Sequence, residues 1–321
     1  MSKLKLGYKL MSEEHGPRAL VENAKRAERL GFDFVAISDH FFPWVDAQGH
    51  APFAWSVLGA IAASTTSIEL ATAVTCPSFR YHPAIVAQAA ATVGVLSGGR
   101  FTLGLGSGEL LNEHIVAGRW PSIGVRQAML GEALEIIRTL FDGEKHSYRG
   151  EHFELEDARL YDVPETPPRI AVAAGGRQSA TLAGEKADAL MATQPDAKLI
   201  EAYRKAGGKG PCYVEVGLCY AESEEQAQAT AKELHAWSVL GWNVLPELPL
   251  PAGFEGATHH VQAEDLADSL PMGPDVERHV AAIREHIDAG YDHIILNQVG
   301  PDQEAFFGFF EKELAPRLRK L

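Results

Sequence analysis

Cysteine is scarce. Three of the 321 residues are cysteine (Cys76, Cys212, Cys219), and they share no metal-ligand spacing. So low and odd a count excludes a disulfide framework and fits a reducing compartment, so the expected location is cytoplasmic. Long apolar runs are missing too. No window holds the roughly 18 uninterrupted apolar residues of a membrane span, and the opening MSKLKLGYKL has neither the apolar stretch nor the cleavage site of a signal peptide. Positive charge is in deficit, with 29 Lys and Arg against 43 Asp and Glu and a net charge of −14. That argues against nucleic acid as a partner, because phosphate backbones need a basic surface. An anionic cofactor stays compatible, since a helix N-terminus or a few local cations can hold one. No fixed-period repeat is present. No Gly-x-Gly-x-x-Gly follows the first apolar run, which counts against a dinucleotide-binding open sheet.

What is present is an alternation. Hydrophobic residues make up 46% of the chain, enough for a large core. Short apolar runs read as strands at residues 4–9, 33–38, 68–73, 100–105, 169–173, 189–192, 212–219 and 293–298. Between them lie segments of helical spacing, at 17–30, 83–96, 125–141, 224–237 and 275–289. Ser-Glu-Glu at 223–225 and Gly-Pro-Asp at 273–275 read as helix starts, and Gly31, Gly143 and Gly290 as stops. Eight strands alternating with helices predict a (β/α)₈ TIM barrel, one domain over residues 1–321. Two stretches exceed the repeat. Residues 144–168 predict a hairpin insertion, with strands at 145–149 and 152–155. Residues 239–272, rich in Pro, Gly and acids, predict a second insertion, and long barrel insertions serve as lids or subunit contacts.

Barrel active sites lie at the C-terminal ends of the strands. Polar or glycine residues recur there. Glu13 follows the first strand, Asp39-His40 and Trp44 the second, Cys76 the third, Ser107-Gly108-Glu109 and Asn112 the fourth. Gly175-Gly176 follow the fifth, Thr193 ends the sixth, and Asn297-Gln298 end the eighth. His40 is a base available near neutral pH, with Glu13 or Glu109 to orient it or to move a second proton. The glycines of 104–108 and 175–176 suit close approach of backbone N–H groups to a planar or phosphate-bearing ligand. Plainer readings stand beside each: turns for the glycines, a helix cap and packed histidine for Asp39-His40, core for Trp44 and Trp55, a solvated face for Glu13-Glu14. Cys76 reads as a small buried residue rather than a nucleophile. His259-His260 lacks a third ligand at useful spacing, so no metal site is expected.

Taken in order, these residues resemble the luciferase-like superfamily of flavin and deazaflavin barrels. Within it, the chain is similar to the F420-dependent glucose-6-phosphate dehydrogenases and the related F420-dependent secondary alcohol dehydrogenases. The resemblance runs from Leu4-Lys5-Leu6-Gly7-Tyr8-Lys9 through Ser38-Asp39-His40-Phe41 with Trp44, and Gly106-Ser107-Gly108-Glu109, to Leu314-Ala315-Pro316-Arg317-Leu318. It implies that Asp39, Cys76, Ser107, Gly108, Asn112, Gly175 and Gly176 contact coenzyme F420, and that the Ala73–Val74 peptide behind the deazaflavin is cis. It implies His40 as the base on the substrate hydroxyl, Trp44 as a hydrogen-bond donor to that oxygen, Glu109 as the acid toward the ring and Glu13 as support. It also implies a homodimer.

The departures concern the substrate. Thr193 matches the threonine that the sugar-phosphate enzymes use, but Asp196 stands at the first lysine position, with Lys198 two residues on. No lysine occurs in residues 248–261, and Ala267 stands among acids at the arginine position. An acidic lid repels a phosphate dianion at close range. The expected substrate is therefore an unphosphorylated alcohol, secondary or sugar-like. Two alternatives stay open: an FMN-dependent monooxygenase, and the reverse reaction, reduction of a carbonyl or enone.

Overall fold

The computed structural model describes residues 4–116 and 118–321. Its centre is a closed parallel barrel of eight strands: β1 (Lys5–Leu10), β2 (Phe34–Ile37), β3 (Glu69–Thr72), β4 (Phe101–Leu105), β7 (Arg169–Ala173), β8 (Ala189–Ala192), β9 (Cys212–Leu218) and β10 (His293–Gln298). A separate antiparallel hairpin, β5 (His146–Arg149) and β6 (Glu154–Ala158), lies between β4 and β7. β1 pairs with both β2 and β10, closing the ring with Tyr8 opposite Val35 and Leu296.

Side chains alternate across each strand. The outward set, including Tyr8, Val35, Leu70, Leu103, Val172, Val214 and Ile294, joins the helices in the main core. The inward set is smaller: Phe34, Ala36, Ala71, Ala171, Ala189, Met191, Tyr213 and Ile295. Phe34 fills the barrel over Gly7, where any Cβ would sit 2.3 Å from its ring. Phe34 packs edge-on against Tyr213 at 5.5 Å, and Tyr213 against His293 at 4.5 Å. These aromatics plug the lower half of the barrel, so an open site can form only near the rim.

The expected helix signals operate as read. Ser223 Oγ accepts from Gln226 N–H at 3.2 Å and Asp275 Oδ1 from Glu277 N–H at 3.0 Å, each an N-cap. The hairpin differs from expectation in its second strand, which starts two residues later than 152. The reason is Glu132. Its carboxylate accepts from the backbone N–H groups of Glu151, His152 and Phe153, so those residues bind the helix Ile123–Leu140 before pairing begins. The second insertion is a chain of short helical turns, including Ala236–Leu240, Leu245–Glu247, Pro251–Thr258 and Ala263–Leu266. It folds over the rim, where Trp237, Leu245 and Phe254 pack on Met11, Trp44, Val45 and Leu111. Among the described residues, no helix is long and apolar enough to cross a membrane.

Candidate active site

Three titratable side chains from three different loops converge on the rim. His40 Nε2 lies 3.3 Å from Glu13 Oε1 and 3.5 Å from Glu109 Oε2. His40 Nδ1 is 3.0 Å from the Phe42 carbonyl, which can only accept, so Nδ1 carries a hydrogen. In the neutral ring that leaves the Nε2 lone pair facing two carboxyl groups. Environment sorts the two acids. Burial pushes the Glu109 carboxyl up, more than His40 and Lys9 draw it down. Burial also raises Glu13, but His40, Lys9 and the Ser38 hydroxyl outweigh it and the net direction is down. Ser38 Oγ donates a very short bond to Glu13 Oε2. Two acids whose environments push their pKa values apart can divide acid and base work. Neither Glu13 nor Glu14 is on a solvated face, for both are buried.

Around this trio the expected residues take distinct places. Trp44 is buried, with its ring 5.0 Å from that of His40. It lies flat on Trp237 from the lid, centroids 4.3 Å apart and planes 9° from parallel. Asn112 Oδ1 accepts from Phe41 N–H at 2.8 Å and its Nδ2 donates to Glu109 Oε2 at 3.1 Å, so one amide fixes both the histidine loop and the acid. Asp39, read as a cofactor contact, has a fully buried carboxylate. Thr75 Oγ1 donates to it at 2.7 Å, Arg80 Nη2 at 3.1 Å and Tyr81 OH at 3.2 Å. Its side chain thus braces the loop that carries His40.

The Ala73–Val74 peptide is cis. Cys76 is buried, its Sγ 2.9 Å from Ser78 Oγ, and burial pushes its thiol up. Gly108, at φ +85°, passes directly over it; a Cβ there would lie 2.5 Å from Cys76 Sγ. The glycine cluster needs correcting at its start. Gly104 lies inside β4, where a Cβ would meet the Thr72 carbonyl at 2.0 Å, and Gly106 closes on Val74. Those two glycines serve strand contact. Gly108 with Ser107, and Gly175 with Gly176, are the ones that reach the accessible rim. Gly176 precedes the helix Arg177–Lys186, and a Cβ on it would meet nothing within 4 Å, so the helix N-terminus opens on free space. Thr193 is exposed, and its Oγ1 accepts from Trp242 Nε1 at 3.0 Å.

Sequence reading missed four participants: Lys9, Glu215, Trp242 and Gln48. Lys9 points into the barrel beneath the trio, buried, with Nζ 2.6 Å from Glu215 Oε2 and 2.9 Å from the Ala73 carbonyl. Asn297 Nδ2 donates to the other Glu215 oxygen at 2.9 Å. Trp242 reaches from the lid over Gly175. Gln48 lies behind Trp44. Inward lysine and glutamate among small residues on β1 and β9 were the available signal for the first two. Lys9→Met is expected to destabilise the fold by about 1–3 kcal/mol in urea unfolding, because it strands a carboxylate inside the barrel. Lys9→Met with Glu215→Leu should recover most of that loss; no recovery would mean that the pair is not the source. Among the described residues, no three His, Cys, Asp or Glu side chains gather as a metal site. His259 Nδ1 is 2.8 Å from the Gly256 carbonyl in an exposed turn.

A family model described as luciferase-like monooxygenase matches residues 4–293. The chain belongs to the luciferase-like family. Curated relatives within it are F420-dependent glucose-6-phosphate dehydrogenases. That of Amycolatopsis mediterranei is 37% identical and that of Kribbella flavida 38%, each alignment covering 99% of both chains. Among solved structures, an F420-dependent secondary alcohol dehydrogenase in complex with an F420-acetone adduct superposes with a TM-score of 0.89. It is 28% identical, with 97% of this chain and 98% of that one covered.

Proposed function

We propose that this chain transfers a hydride between a neutral alcohol and C5 of the deazaflavin F420. It is an enzyme of the F420-dependent oxidoreductase family. The rim fits such a ligand: Ser107 and Gly108 on one side and Gly175 and Gly176 on the other carry little or no side chain, and the helix at Gly176 offers free backbone N–H groups to a phosphodiester. Cys76 supports Gly108 from below, Ala73 and Val74 would back the planar ring, and Asp39 and Asn112 keep the adjoining loops in place. Bound F420 supplies the two-electron redox chemistry.

The observation that carries the reading is His40 Nε2 held between Glu13 and Glu109. An alcohol gives up hydride readily only as its hydroxyl proton leaves. His40 Nε2 takes that proton, Glu13 stabilises the resulting imidazolium, and Glu109, whose carboxyl burial pushes up, is the acid toward the ring. Trp44 offers its indole N–H, which has no protein acceptor among the described residues, to the substrate oxygen. The same groups serve reduction of a carbonyl.

Trp242 supports a neutral substrate. Its indole covers Thr193, at the place where the resemblance puts a sugar-phosphate contact. Asp196 is engaged in capping the helix Ala197–Lys205, and Ala267 lies beside exposed Glu264, Asp265 and Asp268. Trp242→Ala is expected to raise KM for 2-propanol about 5- to 50-fold through lost apolar contact, a loss on the order of 1–2.5 kcal/mol. An unchanged KM would remove Trp242 from the pocket.

The deciding test is titration of purified F420, and separately FMN, with the apoprotein by fluorescence quenching, followed by bleaching of oxidised F420 with 2-propanol and with glucose 6-phosphate. Tight F420 binding with turnover of 2-propanol over glucose 6-phosphate is the expected outcome. Binding of FMN alone would replace this reading with a monooxygenase. We further propose a cytoplasmic homodimer. The helices Ala54–Ser64 and Pro83–Leu96 leave Phe53, Ile85, Val95 and Leu96 about half exposed, an apolar face suited to a second copy.

A further inference from the structure

The loop after β2 does more than deliver His40 and Trp44. Four residues past Trp44, Gln48 is buried, and its carboxamide is completely used. Oε1 accepts from Trp44 N–H at 2.9 Å and Val45 N–H at 3.5 Å. Nε2 donates to Glu14 Oε1 at 3.3 Å and to the Leu234 carbonyl at 3.2 Å. The two ends cannot be exchanged, because donors face one and acceptors the other.

Each partner leads to a different element. Glu14 follows β1, beside Glu13, and its second oxygen accepts from Gly300 N–H at 2.7 Å, just past β10. Leu234 lies in the last turn of the helix Glu224–His235, and its carbonyl also accepts from Trp237 Nε1 at 3.0 Å. Trp237 is the ring that lies flat on Trp44. One amide therefore joins the loops after β1, β2 and β10 to the root of the lid, and the circuit closes through the indole stack.

We propose that Gln48 is a positioning residue: it sets where the Trp44 indole lies against His40, and it keeps that indole in register with the lid through Leu234 and Trp237. The inference rests on the proposed role of Trp44 toward the substrate oxygen. Gln48 itself touches no reacting atom. Its effect is geometric, and a displacement of about 1 Å at a reacting centre can cost on the order of 100-fold in rate.

The test uses the full chain carrying 5-fluorotryptophan. The chain has five tryptophans, so the spectrum is simple, and Trp44→Phe and Trp237→Phe assign the two signals. Gln48→Met keeps the length and removes the hydrogen bonds. It should shift and broaden both fluorine signals and lower kcat with F420 and 2-propanol by about 10- to 100-fold, with KM for F420 unchanged. In a Trp44→Phe background the same substitution should cost less than about twofold, since the group it positions is gone. Unmoved signals would overturn the proposal, as would an equal loss of kcat with and without Trp44. Gln48→Glu is the second variant, should the first not fold. It keeps the acceptor for Trp44 N–H, loses the donor to Leu234 and repels Glu14, so the Trp237 signal should move most; an unchanged spectrum again overturns the proposal. Failure of the functional reading looks different: Trp44→Phe would retain wild-type kcat, or 2-propanol would not react, while Gln48→Met still moves the Trp44 signal.

Discussion

His40→Ala is expected to lower kcat for alcohol oxidation by about 100- to 10,000-fold, the range for loss of a positioned general base. Binding of F420 should change little, because His40 follows β2 and Gly175-Gly176 follow β7, with β3 and β4 between them in the barrel. The ring is held by one backbone bond, Nδ1 to the Phe42 carbonyl, so removing it opens a small polar hole without unmaking the loop. Asp39 and Asn112 keep that loop in place independently. Added imidazole should therefore restore part of the rate. Steady-state kinetics with and without imidazole check this, and a kcat within about threefold of wild type would remove His40 from the chemistry.

Glu109→Gln carries the second large effect, a loss of about 10- to 1,000-fold in kcat. Its signature is the pH profile. Burial raises the Glu109 carboxyl, so the acid form persists above the ordinary carboxylate range of about 4.3 and is lost as pH rises through the shifted value. The wild-type rate should fall on that alkaline side, and the amide variant, with no proton to lose, should not show the fall. Glu13 works in the other direction. Its net shift is downward, so it stays ionised as pH drops through the range where an ordinary carboxyl would protonate. An alkaline limb that survives in Glu109→Gln would assign it to some other group.

Most of the architecture is legible in the residues because parallel barrel strands are short apolar runs buried on both faces. Phe34-Val35-Ala36-Ile37 and His293-Ile294-Ile295-Leu296 announce themselves that way. The second hairpin strand was misread because Glu132, some twenty residues upstream, holds the turn, and a window on residues 150–155 contains no trace of it. At the site, Glu13, His40 and Glu109 stand out because each follows a strand. Lys9, Gln48, Glu215 and Trp242 do not, because their meaning lies in partners far away in sequence. Asp39 adds a second case: the motif placed it at the ligand, and what its neighbours add is a brace, through Thr75, Arg80 and Tyr81, that no sequence window shows.

Among the described residues, the aromatic plug formed by Phe34, Tyr213 and His293 closes the floor of the barrel, so the barrel opens at its rim. Everything that enters must leave by the same rim, under the same lid. Under the proposed function, a planar ligand between Gly108 and Gly176 and an alcohol beside His40 would share one doorway, and whichever sat deeper would depart last. Order of release is then a property of the blocked floor as much as of any affinity at the mouth.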